Sequence, residues 1–261
     1  MKKKACNKSG DYKSIISCRN IFIFGIHKII IVIQKLFKHK SNQDIGSMEL
    51  KERTINSLLV LHLIDETNKK GTLEDNFKVQ KMVFSIQKLL TQRSRKAFSY
   101  NFFRWHKGPF SADLNNDLNL LQKNKMVDWG KDKIVLTRQG TELLNACHEI
   151  IDKNIFFHDA FNTIINEYAR LPPGEIKNRI YQLRIFVPVL RKVMSIRDIP
   201  LKQLILFKPR DERMKHVFDI DESWEATLEI LFDKDALVSL SMAFKDAKEG
   251  RHGEPFTVHT S

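Results

Sequence analysis

Cysteine is scarce: Cys6, Cys18 and Cys147 are odd in number and far apart, so neither a disulfide framework nor a thiolate zinc site is implied, and a reducing cytoplasm fits. The ten glycines are scattered and no G-x-x-x-x-G-K-[ST] run occurs, so a phosphate-cradling loop is missing. His148-Glu149-Ile150-Ile151-Asp152 ends in Asp where a zinc protease helix needs its second His. His148 and Asp152 share a helix face, which is an ordinary surface pairing, and no metal or cofactor is expected. Ser111 follows a Gly-Pro turn without a G-x-S-x-G elbow around it, and helix capping accounts for it. Enzymatic activity therefore has little support.

A membrane-length apolar run is also missing. Residues 21–26 and 29–33 are apolar but interrupted by His27-Lys28. A span needs about 20 mainly apolar residues, and a Lys near its centre costs roughly 2.5–3.5 kcal/mol on insertion scales. No A-x-A-like cleavage site follows Lys2, Lys3 and Lys4. Residues 1–47 read best as an upstream extension with Met48 as the natural start. A peripheral or anchoring helix and an ordinary N-terminal arm are the other readings, and membrane contact is expected only if this stretch is native.

What is present is charge, at +13 overall, and 42% hydrophobic residues, enough for a proper core. Residues 1–47 carry a net +8, residues 48–218 a net +11 and residues 219–261 a net −6. Basic, basic, acidic is an order that suits a nucleic-acid binder with an acidic tail.

Clean periodicity starts at Glu49. Ile55, Leu58, Leu59 and Leu63 mark one helix, closed by a polar loop at 67–71. Val79, Met82, Val83, Ile86 and Leu90 mark a second, capped by Asn76, with Lys78, Lys81 and Lys88 on a basic outer side leading to Arg93, Arg95 and Lys96. Residues 98–102 alternate as a strand. After Gly108-Pro109, Ser111 caps a helix whose Leu114, Leu118 and Leu121 form one apolar stripe. A hairpin follows over residues 126–136 with its turn at 130–132, and Thr137 caps the next helix. Apolar rows from Leu143 to Tyr168 predict one long helix or two parted near Asn154. Pro173 predicts the first position of a further helix carrying Ile176, Ile180, Leu183 and Val187. Residues 201–207 read as a strand or one helical turn. In the tail, Trp224, Leu228 and Leu231 lie on one stripe and Leu237, Leu240, Phe244 and Ala247 on another.

The fold class is mainly α (α+β), with four parts: the extension to residue 47, a winged helix-turn-helix domain over 48–150, a helical region over 151–218 and an acidic amphipathic tail over 219–261. Gln80-Lys81-Met82-Val83, Lys107-Gly108-Pro109-Phe110-Ser111 with Asp113-Leu114 and Asp117-Leu118, and Leu136-Thr137-Arg138-Gln139-Gly140 together resemble small prokaryotic winged-helix proteins. These include phage-associated and antitoxin-linked proteins of the Panacea type. The resemblance implies a module that binds DNA or a partner near toxin–antitoxin or phage genes, with no catalytic residues. Glu225-Ala226-Thr227-Leu228-Glu229-Ile230-Leu231-Phe232-Asp233 with Asp246-Ala247-Lys248-Glu249-Gly250-Arg251 is similar to the partner-binding C-terminal segments of Phd- and RelB-type antitoxins.

Two sets of candidates follow. For DNA, Asn115, Asn116 and Asn119 would read bases, with Arg104, His106, Lys107, Ser111, Lys131 and Lys133 on the backbone. Asp113 and Asp117 oppose this by placing negative charge on the same helix. For a toxin encoded nearby, Trp224, Leu228, Leu231, Phe232, Leu240 and Phe244 would anchor an acidic helix in a basic groove. The expected function is that of a cytoplasmic, antitoxin-like winged-helix protein that neutralises a toxin through its tail, binds DNA autoregulatorily and is compatible with a homodimer. The alternatives are a phage-associated DNA-binding regulator without a toxin and a non-catalytic interaction scaffold.

Overall fold

Helix α1 (Asp44–Lys70) is the axis of the molecule. Every side chain from residue 54 to 64 is buried, including those of Asn56, Ser57 and His62. A helix enclosed on all sides in this way needs apolar residues round its whole circumference, and Val60, Leu61 and Ile64 complete the stripe that begins at Ile55. The helix runs through the expected loop, and Lys69 holds its last turn on Asp65 and Glu66, each at 2.7 Å. The computed structural model describes residues 44–130, 133–209 and 214–232, with the single positions 239 and 242. Over these residues the architecture is mainly helical with small sheets.

Helix α2 (Asn76–Gln92) is capped by Asp75, whose carboxylate accepts from the Lys78 amide at 3.0 Å; Asn76 is already helical. Its expected basic outer side is corrected by the packing. Lys78 is fully buried, its Nζ donating to the carbonyls of Thr72 (2.6 Å), Ala169 (2.8 Å) and Leu171 (3.2 Å) and pairing with Glu74 at 2.9 Å. Lys81 is buried as well. Both stems lie along apolar surface, and their ammonium groups satisfy carbonyls that no helix or strand partner reaches.

The segment after α2 enters the core without becoming the expected strand. A two-residue strand β1 (Arg95–Lys96) pairs in parallel with β9 (Lys215–His216), and residues 98–101 then run with no ladder partner. Side chains take the place of that partner. Asn56 Oδ1 accepts from the Ser99 amide at 3.0 Å, and Gln87 accepts from the Tyr100 amide (3.0 Å) while donating to its carbonyl (2.7 Å). Seven residues earlier on α2, Gln80 makes the same two-way contact with the backbone of Ser111, at 2.9 and 3.0 Å. Two glutamines on one helix thus fix both ends of the stretch from Tyr100 to Ser111.

Between those ends, β2 (Phe102–Trp105) and β3 (Gly108–Phe110) form an antiparallel pair, and β8 (Leu204–Leu206) joins β2 on its other edge. Helix α3 (Ala112–Lys123) follows, then the hairpin of β4 (Val127–Trp129) and β5 (Ile134–Leu136), as expected. Thr137 caps α4 (Arg138–Ala146), accepting from the Gly140 amide at 3.1 Å. The apolar rows beyond form α5 (His148–Lys153) and α6 (His158–Tyr168), parted at Asn154. Cys147 is buried between α4 and α5, and burial pushes its thiol up to about 12.

Pro173 opens α7 (Pro173–Gln182) as expected, but the helix stops there. Val187 belongs instead to β6 (Arg184–Val187), hairpinned with β7 (Lys192–Ser195). Helix α8 (Glu222–Phe232) returns to α1, where Lys51 donates to the Ile220 carbonyl at 2.9 Å and pairs with Asp219 at 3.1 Å. One apolar cluster runs from Ile55 to Leu228, so the divisions drawn at 150 and 218 do not separate cores.

Candidate functional site

The stretch from Phe102 to Leu118 is built from inside outward. Along β2, Phe102 and Arg104 point in while Phe103 and Trp105 point out, the period-two alternation of a strand. The turn to β3 places Gly108 at φ +98, a conformation that side chains with a Cβ rarely adopt, with Ile180 and Lys81 against it. Beneath this turn Lys81 Nζ donates to the Pro109 carbonyl at 2.6 Å and lies 4.6 Å from the Phe77 ring. Burial pushes its pKa down to about 7, Arg104 and Lys107 add to the fall, and Asp75 opposes it.

Arg104 corrects the expectation of a phosphate contact. Its side chain is buried, its Nε donates to the Ile196 carbonyl at 2.7 Å, and its guanidinium nitrogens reach the carbonyls of Trp105 and Arg197. The guanidinium lies 5.0 Å from the Tyr181 ring. It ties β2 to the segment after β7. Ser111 is fully buried and caps α3, accepting from the Leu114 amide at 3.3 Å; its side chain is withdrawn from any ligand.

On α3 the leucine stripe is buried, and Asp117 turns inward with it. Its carboxylate accepts the Tyr100 hydroxyl at 2.8 Å. Burial raises the pKa of Asp117 even though this hydrogen bond and Arg53 pull it down, and burial with the adjacent carboxylate lifts Tyr100 well above its ordinary value. Asn115 is half-buried and accepts from Asn76 Nδ2 at 2.7 Å. Asp113, Asn116, Asn119, Gln122 and Lys123 are exposed on α3, together with Ala112 and Leu120.

The remaining candidates divide between places. Lys133 is exposed on the β4–β5 hairpin, and Lys131 lies outside the described residues. His106 and Lys107 are exposed at the β2–β3 turn, where the His106 carbonyl accepts the Tyr181 hydroxyl at 2.7 Å. They therefore sit beside α7, three residues of β3 away from the start of α3.

In the tail, Trp224 and Leu228 are buried in the chain's own core, and Phe232 packs partly against it. The Phe232 carbonyl accepts from Asn124, just past the end of α3. The expectation that Trp224 and Leu228 anchor a partner is corrected accordingly: α1 is their partner. Leu231 lies on α8, while Leu240 and Phe244 lie outside the described residues.

Sequence reasoning missed a basic groove of about 570 Å³, lined by Tyr181, Arg184, Val193, Met194, Ser195 and Arg197 among others. The signal was available. Residues 176–209 hold eight Lys and Arg against one acid, Asp198. Among the described residues there is no group of three or more His, Cys, Asp or Glu placed to hold a metal ion, and no helix is long and apolar enough to cross a membrane. No family model, curated protein or solved structure matches the chain.

Proposed function

We propose that the chain is a DNA-binding protein of winged-helix type, with α3 as the helix presented to the major groove and the β4–β5 hairpin as its wing. The observation that carries this reading is the inward turn of Asp117. With its carboxylate on Tyr100, the outer face of α3 keeps one acid, Asp113, at the helix start, where the helix dipole favours negative charge. Asn116, Asn119 and Gln122 remain outward, and an Asn amide pairs with adenine through two hydrogen bonds. Lys123, Lys125 and Lys133 are exposed on α3, just beyond it and on the hairpin, at places from which the duplex backbone is reached. For toxin neutralisation through the tail, two of the expected anchors, Trp224 and Leu228, are buried in the chain's own core.

The test is fluorescence anisotropy of the full chain with labelled duplexes, from the region upstream of its own gene and from unrelated sequence, across a salt series. Binding should weaken steeply with salt and favour one sequence over another. Asn116→Ala with Asn119→Ala should erase about 1–3 kcal/mol of that preference per lost amide–base pair while leaving non-specific binding in place. No binding of either duplex at low salt rejects the proposal.

A further inference from the structure

We infer that the β6–β7 hairpin is a second DNA-contacting arm, its cations on the phosphates and its apolar end wedged into the duplex; this rests on the DNA-binding reading above and adds an element to it. The register pairs Phe186 with Val193 and Arg184 with Ser195. Ile185 and Val187 point into the core, so Arg184 and Phe186 share the outer face. Phe186 is 57% exposed, Val193 54%, and Val189 in the connection 68%, with Leu190 beside it also exposed. Arg191 closes the connection in the left-handed region at φ 50. Four large apolar side chains within eight residues form a patch that a monomer seldom leaves to water without a use.

The charge around the patch identifies the occupant. Arg184, Arg191, Lys192 and Arg197 are exposed, and none makes an ion pair with a described residue. Elsewhere Arg93, Arg138, Lys153, Arg179 and Lys208 each hold a carboxylate. The one acid nearby, Asp198, accepts from Ser195 Oγ at 2.6 Å. Lys177 and Arg197 stand 5.5 and 6.0 Å from the Tyr181 ring at the groove, so positive charge also gathers where the hairpin meets α7. A second copy of the chain would bring like charge to like charge. Residues 233–261 carry five acids against four bases and offer little net complement, since half of the tail's ten acids lie in the stretch docked on α1.

A polyanion with an apolar interior fits both features. Guanidinium forks match phosphate oxygens two at a time, and a two-stranded ribbon enters a DNA groove. Apolar side chains inserted between base steps unstack them and bend the duplex, the bend being repaid by contact with more protein surface. The β2–β3 turn with Lys107 abuts α7, and β3 leads from it to α3 over about 10 Å; bending is the step by which a duplex held on α3 would reach the hairpin.

The experiment is energy transfer across a 30-bp duplex labelled at both ends, with the full chain at low salt. Wild type should shorten the end-to-end distance on binding. Val189→Ser with Leu190→Ser should bind within about threefold of wild type but leave the duplex straight. Arg184→Ala with Arg197→Ala should bind more weakly, with the salt slope reduced by about two. Binding without bending by wild type, or full bending by the serine variant, overturns the arm and leaves the α3 reading intact. Loss of flotation with vesicles of anionic phospholipid in the serine variant, with bending unchanged, overturns it in favour of a membrane surface. No duplex binding by wild type removes both proposals, and the Asn116/Asn119 variant, still bending at saturation, separates the arm from the helix.

Discussion

Two stretches of this chain carry charge in similar measure and use it in opposite ways. Around β2 and α3, Lys81, Arg104 and Asp117 are all buried, and each is answered by the protein: a proline carbonyl, three further carbonyls and a tyrosine hydroxyl. Around α7 and the β6–β7 hairpin, Arg184, Arg191, Lys192 and Arg197 are exposed and pair with no carboxylate among the described residues. The first set fixes the shape of a surface whose outer face carries the amides of Asn116, Asn119 and Gln122 between Asp113 and Lys123. The second is itself the surface. Net charge therefore says little about where a polyanion would sit until burial has sorted the charges.

The contrast is breakable, most sharply at Arg104. Arg104→Ala leaves the carbonyls of Ile196 and Arg197 without their donor and opens a gap under Tyr181, so stability should fall by about 3 kcal/mol in a urea titration. A loss within the range of surface substitutions would put Arg104 in the second set. Lys81 gives a subtler break through pH. Its folded pKa of about 7 lies below the usual 10.5, so the stability it contributes is present above the unfolded value and lost as pH falls through the folded one. Wild type should therefore gain on Lys81→Met by about 1 kcal/mol per pH unit between pH 7 and 10, read from paired thermal melts. Parallel melts across that window would mean the amine is hydrated.

The smallest expected effect is on the other side. Arg184→Ala with Arg197→Ala should change unfolding free energy by about 0.5 kcal/mol or less, because both side chains are exposed, neither pairs with a carboxylate of a described residue, and Arg197 meets only the Tyr181 ring at 6.0 Å. A larger loss would show the hairpin cations to be structural, like Arg104.

How much of this was legible beforehand follows a physical line. The caps at Ser111 and Thr137, the turn at Gly108, the β4–β5 hairpin and the start of α7 at Pro173 were all readable. Each depends on hydrogen bonds and backbone angles within a few residues, so the local sequence determines it. The expected strand at 98–102 failed for the complementary reason. Its alternation was real, but its backbone partners are Asn56 and Gln87, far off in the chain. Lys78 and Lys81 looked like a solvated face because periodicity marks the stripe that is apolar and is silent about what covers the rest of a helix.

The same division holds for the candidate site. By itself the sequence determined that a short helix with a leucine stripe and outward amides begins at Ser111, just after a glycine turn. Tertiary structure alone decided that Asp117 leaves its outer face, that Arg104 and Trp224 belong to the interior, and that a hairpin rooted in the core by Ile185 and Val187 presents a basic, apolar outer face beside the turn. Burial is a property of what packs on a residue, and the partners here, Tyr100, Ile196 and α1, come from distant parts of the chain.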